Sequence, residues 1–121
     1  MNVSQFYQEI NGDYKDALSR MMNDMFVARM LGKFYASNSY NDLINAYDNK
    51  DYKAVFSYAH AFKGVLGNLS LTSLFEITSV ITEATRDNDN PNIDNEIKIL
   101  KERYQIFLDA YHKYIETWKK D

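Results

Sequence analysis

Punctuation is what this sequence lacks. Its 121 residues hold one proline, Pro91, and only four glycines. Tight turns draw on these two residues for their special backbone angles, so a chain poor in both cannot close many hairpins, which disfavours an all-β fold. The apolar residues instead recur at three- and four-residue steps, the pattern of amphipathic helices.

Val3, Phe6, Tyr7 and Ile10 make a short amphipathic stretch that Asn11-Gly12 stops, and Asp13 can cap a second short helix with Tyr14, Ala17, Leu18 and Met21. Asn23 or Asp24 then caps a longer segment carrying Phe26, Met30, Phe34, Leu43, Ile44 and Tyr47. Its middle, Ser37 to Asn41, is weak in helix propensity but holds no Gly or Pro, so one continuous helix is predicted. Asp48-Asn49-Lys50 reads as a turn, and Asp51 caps a helix with Val55, Phe56, Ala59, Phe62, Leu66 and Leu69 on its inner side. Ser73-Leu74-Phe75-Glu76 has the form of a capping box opening a helix with Leu74, Ile77, Ile81 and Ala84 inward.

Arg86 to Asn92 is the one unambiguous loop. Beyond it Ile97, Leu100, Tyr104, Phe107, Tyr111, Ile115 and Trp118 form a long core-facing stripe. Helices with one apolar face and short connections pack against each other. The expected fold is therefore all-α, an antiparallel up-and-down four-helix bundle with a short N-terminal helical extension, in one domain spanning 1–121. The methionines Met21, Met22, Met25 and Met30 fall at helical spacing and are expected in the core.

Composition narrows the function classes. There is no cysteine, hence no disulfide framework and no thiolate nucleophile or ligand, which fits a reducing compartment. The net charge is -3 with Lys and Arg scattered, whereas nucleic-acid binders show a basic face. No apolar run approaches the roughly 20 residues that span a bilayer, and the opening Met1 to Phe6 lacks the basic and apolar regions of a signal peptide, so none is expected. A cytoplasmic protein without nucleic-acid or membrane partners is expected. No Walker A motif or kinase glycine loop is present, so neither an ATP site nor enzymatic autokinase activity is expected.

Chemistry concentrates at Ala59-His60-Ala61-Phe62-Lys63-Gly64-Val65-Leu66-Gly67-Asn68-Leu69. Each glycine inside a helix costs roughly 1 kcal/mol relative to Ala, so Gly64 and Gly67 exchange stability for something else. At about 100° per residue His60 lies about 120° from the centre of the apolar face and is turned to solvent. Lys53, Ser57, Gly64 and Gly67 share its strip, with Asn68 beside them, leaving a stretch of nearly bare backbone that another protein can approach. Lys63, one turn on, can swing its ammonium toward the imidazole. A cation there favours a neutral, nucleophilic ring and would pair with a phosphoryl group once attached.

This stretch resembles the signature of histidine-containing phosphotransfer (HPt) domains of two-component phosphorelays. Asp51-Tyr52 before the His helix and the amphipathic helices on either side extend the similarity from about Asp13 to Trp118. The resemblance implies that His60 is the phosphoacceptor, that Lys63 helps hold the phosphoryl group, and that Gly64 clears space for a response-regulator receiver domain. It implies a monomeric phosphocarrier that shuttles phosphoryl groups between receiver aspartates, fed by a hybrid sensor histidine kinase. No cofactor of its own is expected, Mg²⁺ belonging to the receiver. Val65, Leu66 and Ser70 depart from the small residues common in the family, which bears on partner choice.

Two other readings compete. A helical adaptor without phosphoryl chemistry would expose an apolar patch and tolerate loss of His60. A histidine-kinase dimerisation domain normally has an acidic residue after its His and a proline further on; here Ala61 follows and no proline is near. His112, three residues after Asp109, could suggest a metal pair but has no further ligand candidates nearby in sequence, so a surface histidine is expected and no metal site.

Overall fold

In a computed structural model, residues 1–120 are described, with side chains through Thr117; Trp118, the last member of the predicted stripe, has its side chain outside the described residues. The described residues form seven helices and no strand: α1 (Val3–Glu9), α2 (Tyr14–Met21), α3 (Asp24–Ala36), α4 (Ser39–Asp48), α5 (Tyr52–Asn68), α6 (Thr72–Thr85) and α7 (Asp94–Lys120).

Three predicted caps form as the sequence suggests. The side chains of Asp13, Asn23 and Asp51 accept hydrogen bonds from the backbone N–H groups of Asp16, Phe26 and Ala54, satisfying donors that a helix start leaves orphaned. Two others differ. The Ser73–Glu76 capping box does not form, because α6 begins two residues earlier than such a box would start it, at Thr72, behind the buried Leu71. Ser73 lies within the helix, its carbonyl accepting from Arg103 at 2.7 Å, while Glu76 faces the same guanidinium. A reciprocal box closes instead at Asn2 and Gln5, fixing α1.

The predicted continuous helix over 23–47 is broken. Ser37 leaves α3 with extended backbone and its hydroxyl donates to the Phe34 carbonyl at 2.7 Å, a local bond that competes with the helix ladder. The two pieces still make one arm of the bundle. Going along it, Tyr35 meets Tyr111, Phe34 meets Phe107, Tyr40 stacks on Tyr104 at 3.8 Å, and Tyr47 donates to Asp94. From Phe34 and Tyr35 through Tyr40 to Tyr47 the partners on α7 move from 107–111 through 104 to 94, so the two run antiparallel. The turns at 49–51 and 69–71 and the loop at 86–93 reverse the chain three times, and the arm, α5, α6 and α7 form the antiparallel four-helix bundle.

The core is continuous from Phe34 and Phe62, stacked at 5.7 Å, through Leu100 and Phe107 to Phe6 of α1, whose ring lies against Phe107, Tyr111 and Tyr114. Complete burial of a ring such as Phe6 stabilises by about 2–3 kcal/mol. On the last helix Tyr114 is fully buried while Ile115, predicted inward, is only partly so. The methionines divide: Met21 and Met30 pack on the core, but Met22 and Met25 are 85% and 74% exposed, Met22 because it ends α2 in the left-handed conformation. The extension comprises two short helices, α1 and α2.

That extension clamps the turn after α5. The Asp13 N–H donates to the Ser70 carbonyl at 2.9 Å, the Ser70 hydroxyl to Asp16 at 2.6 Å, and the Tyr7 hydroxyl to the Leu69 carbonyl at 2.7 Å. Ser70 sits at φ 53, a conformation glycine takes freely, and the bond to Asp16 helps hold a serine there.

Replacing Tyr7 with Phe leaves the Leu69 carbonyl without its hydroxyl partner, and we expect a loss of about 1–2 kcal/mol in urea unfolding at neutral pH. Burial holds the Tyr7 phenol well above its ordinary range, with Tyr114 adding to it, and burial pushes Tyr114 up to about 12. The neutral phenols therefore contribute stability that is complete below about pH 10, the ordinary phenol value, and is lost as pH rises through the raised values. Unfolding midpoints measured from pH 8 to 12 should be flat at first and fall above about pH 10.

Candidate functional site

Burying Val55, Ala59, Phe62 and Leu66, each no more than 1% exposed, fixes the rotation of α5 and leaves His60 exposed in its middle. Among the described residues none hydrogen-bonds either imidazole nitrogen. The ring lies nearly parallel to that of Phe56, one turn earlier, at 13° and 5.9 Å between centroids. Phe56, predicted to face the core, is instead half-buried at the flank of the buried seam, where the end of α6 reaches it: the Arg86 guanidinium lies over its ring at 4.9 Å. Arg86 is in turn held by Glu83 through two hydrogen bonds of 3.1 and 3.2 Å.

Lys63 is half-buried, with its ammonium over the Phe75 ring at 6.0 Å from the centroid. Its stem leans toward α6, and the resting ammonium sits on an aromatic face. The Glu83 carboxyl is held below its usual range, first by the hydrogen bond and charge of Arg86 and then by the charges of Lys63 and His60. Two cations, an anion and the imidazole thus share one electrostatic neighbourhood across α5 and α6.

The glycines differ. A β-carbon added at Gly64 would meet nothing within 4 Å, so the surface one turn beyond His60 is open. At Gly67 it would lie 3.3 Å from the Phe75 ring. Gly67 is therefore a packing glycine that lets α6 approach, a correction to its predicted place on a bare strip. Lys53, Ser57 and Asn68 are exposed on α5, Val65 is partly exposed, and Leu66 is fully buried. His112 is exposed and shares a 2.8 Å hydrogen bond with the Tyr35 hydroxyl. Among the described residues, no group of three acidic or histidine side chains is placed to hold a metal ion, and no helix is long and apolar enough to cross a membrane.

The sequence reading missed Phe56 as a neighbour of His60, and Glu83 and Arg86 altogether. The signals were present: an aromatic four residues before the histidine, and an acid–base pair at i,i+3 closing the next helix.

A family model described as Hpt domain matches residues 35–116, which takes in α4 to α6, most of α7 and His60. The chain belongs to the Hpt domain family. Hpt domains are phosphocarriers rather than enzymes; they serve histidine phosphotransfer in two-component signalling and interact with receiver domains and histidine kinases. No curated protein and no solved structure matches the chain.

Space around the two glycines separates their roles within this Hpt bundle. Gly64→Ala, in an unobstructed helix interior, should raise stability by about 0.5–1 kcal/mol. Gly67→Ala gains the same helix propensity but presses on Phe75, and should gain less or destabilise. Urea midpoints measure both; an equal gain at Gly67 would contradict its assignment to packing.

Proposed function

We propose that His60 accepts a phosphoryl group from the aspartyl phosphate of one receiver domain and passes it to the aspartate of another. The observation that carries this reading is the exposed His60 imidazole, without a hydrogen-bond partner among the described residues, in the motif of a chain of the Hpt family. The donor's P–O bond to aspartate breaks as a P–N bond to a neutral imidazole nitrogen forms, and the reverse step discharges it. The transition state is loose, its charge spread over the equatorial phosphoryl oxygens, so alignment and nearby cations do most of the work. The Mg²⁺ of such a step belongs to the receiver, and this chain supplies no cofactor.

In this reading the stack on Phe56 presents the ring, and Lys63 swings from Phe75 to the phosphoryl oxygens. The receiver docks over the open surface at Gly64, with Ser57, Lys53 and Asn68 at its rim. Gly67 supports that surface from below by letting α6 close against α5. The natural setting is a monomer in the cytoplasm, between a hybrid sensor kinase and a response regulator. A second reading, a helical adaptor without phosphoryl chemistry, draws on the exposed apolar side chains Met22, Met25 and Phe26. It predicts that His60→Ala leaves signalling intact.

The deciding experiment incubates the protein with a phosphorylated receiver and measures acid-labile, alkali-stable label. We expect stoichiometric uptake by the natural sequence and none by His60→Gln, with Gly64→Gln folded but transferring at least about tenfold more slowly, the cost of misaligning reactants. Label retained by His60→Gln would sink the proposal.

A further inference from the structure

Arg86 has an occupation that phosphotransfer as outlined above does not use. Its backbone ends α6, its guanidinium is engaged by both oxygens of Glu83, and its flat face rests over the Phe56 ring on which His60 also stacks. Phe56 thus has two neighbours, the imidazole and a guanidinium, and the anion that holds the guanidinium there is close enough to feel the charges of His60 and Lys63. Both Glu83 and Arg86 are exposed, so neither is needed to fill the core.

We propose that the Glu83–Arg86 pair is a latch beside the acceptor histidine: Glu83 parks Arg86 over Phe56 while the ring is bare, and Arg86 exchanges Glu83 for the phosphoryl oxygens when the ring is charged. The inference rests on His60 carrying a phosphoryl group. That group brings nearly two negative charges and three acceptor oxygens, and a guanidinium fits such an anion in the same forked geometry it uses for a carboxylate. The same charge repels Glu83, so both forces act in one direction. Arg86, at the last turn of α6 with the 86–93 loop beyond it, has room to turn. Glu83 then acts as a positioning residue that favours the discharged state, and Arg86 as one that favours the charged state.

The test uses the whole chain and needs no receiver. Potassium phosphoramidate labels exposed imidazoles directly: its P–N bond breaks, ammonia leaves, and the phosphorus bonds to a ring nitrogen. The His60 signal in ³¹P NMR is assigned by its absence in His60→Asn, which separates it from His112, and its hydrolysis is followed at pH 8. Glu83→Gln should lengthen the phosphohistidine half-life about two- to fivefold, and Arg86→Gln should shorten it by a similar factor, the scale one exposed ion pair supplies. In an Arg86→Gln background, Glu83→Gln should have less than half its effect, since Arg86 is the route by which it acts. A merely structural pair would change thermal stability without this coupling. Equal effects of Glu83→Gln in the two backgrounds, no effect of Arg86→Gln, or failure to label His60 would overturn the latch. Coupling seen with phosphoramidate alongside failure of every receiver to transfer would leave the latch standing and remove the relay.

Discussion

The buried seam of α5 sets the position of everything at the site. Val55, Phe62 and Leu66 are essentially removed from water, and each such side chain stabilises by about 1.5–3 kcal/mol. Two glycines in the same helix cost roughly 1 kcal/mol each, so the seam outweighs them and α5 stays helical through the motif. Once those residues face inward, the helical repeat leaves His60 no choice but to face outward. Phe34 of the broken arm stacks on Phe62 and joins Phe107 of α7, which locks the rotation from two sides.

On that fixed helix, the chemistry is arranged by neighbours from α6. Phe75 takes the ammonium of Lys63 and touches the gap at Gly67; Arg86 and Glu83 close over Phe56. Cations therefore share the electrostatic neighbourhood of the imidazole yet are held by other partners, an aromatic face in one case and a carboxylate in the other. Among the described residues nothing hydrogen-bonds the ring nitrogens, while positive charge is held on the neighbouring side chains of Phe75 and Glu83. The clamp of Tyr7, Asp13 and Asp16 on the 69–71 turn steadies the C-terminal end of α5, so the N-terminal helices contribute to the site without approaching it.

Most of the architecture was legible in the sequence because helix period and caps are local properties. Asp13, Asn23 and Asp51 cap where their side-chain chemistry says they should, and the outward turn of His60 follows from spacing alone. What escaped depends on contacts between distant residues. Ser37 breaks the arm through a hydroxyl bond whose outcome propensity does not settle, and buried Leu71 starts α6 ahead of the apparent capping box. Gly67 looked bare because its partner, Phe75, lies on the next helix; Phe56 looked inward because the guanidinium that covers it sits thirty residues on. Met22 and Met25 kept helical spacing but belong to a helix end and an exposed first turn, where spacing no longer implies burial.

The claim that the imidazole of His60, and no other nucleophile, carries the transferred group is tested most directly at the atom. Protein labelled with ¹⁵N in its histidine rings, charged by a phosphorylated receiver and observed by ¹⁵N NMR, should show ³¹P coupling at one ring nitrogen of His60 while His112 keeps its unmodified pattern. Phosphorus coupled to His112, or charged protein with both rings unmodified, would contradict the account.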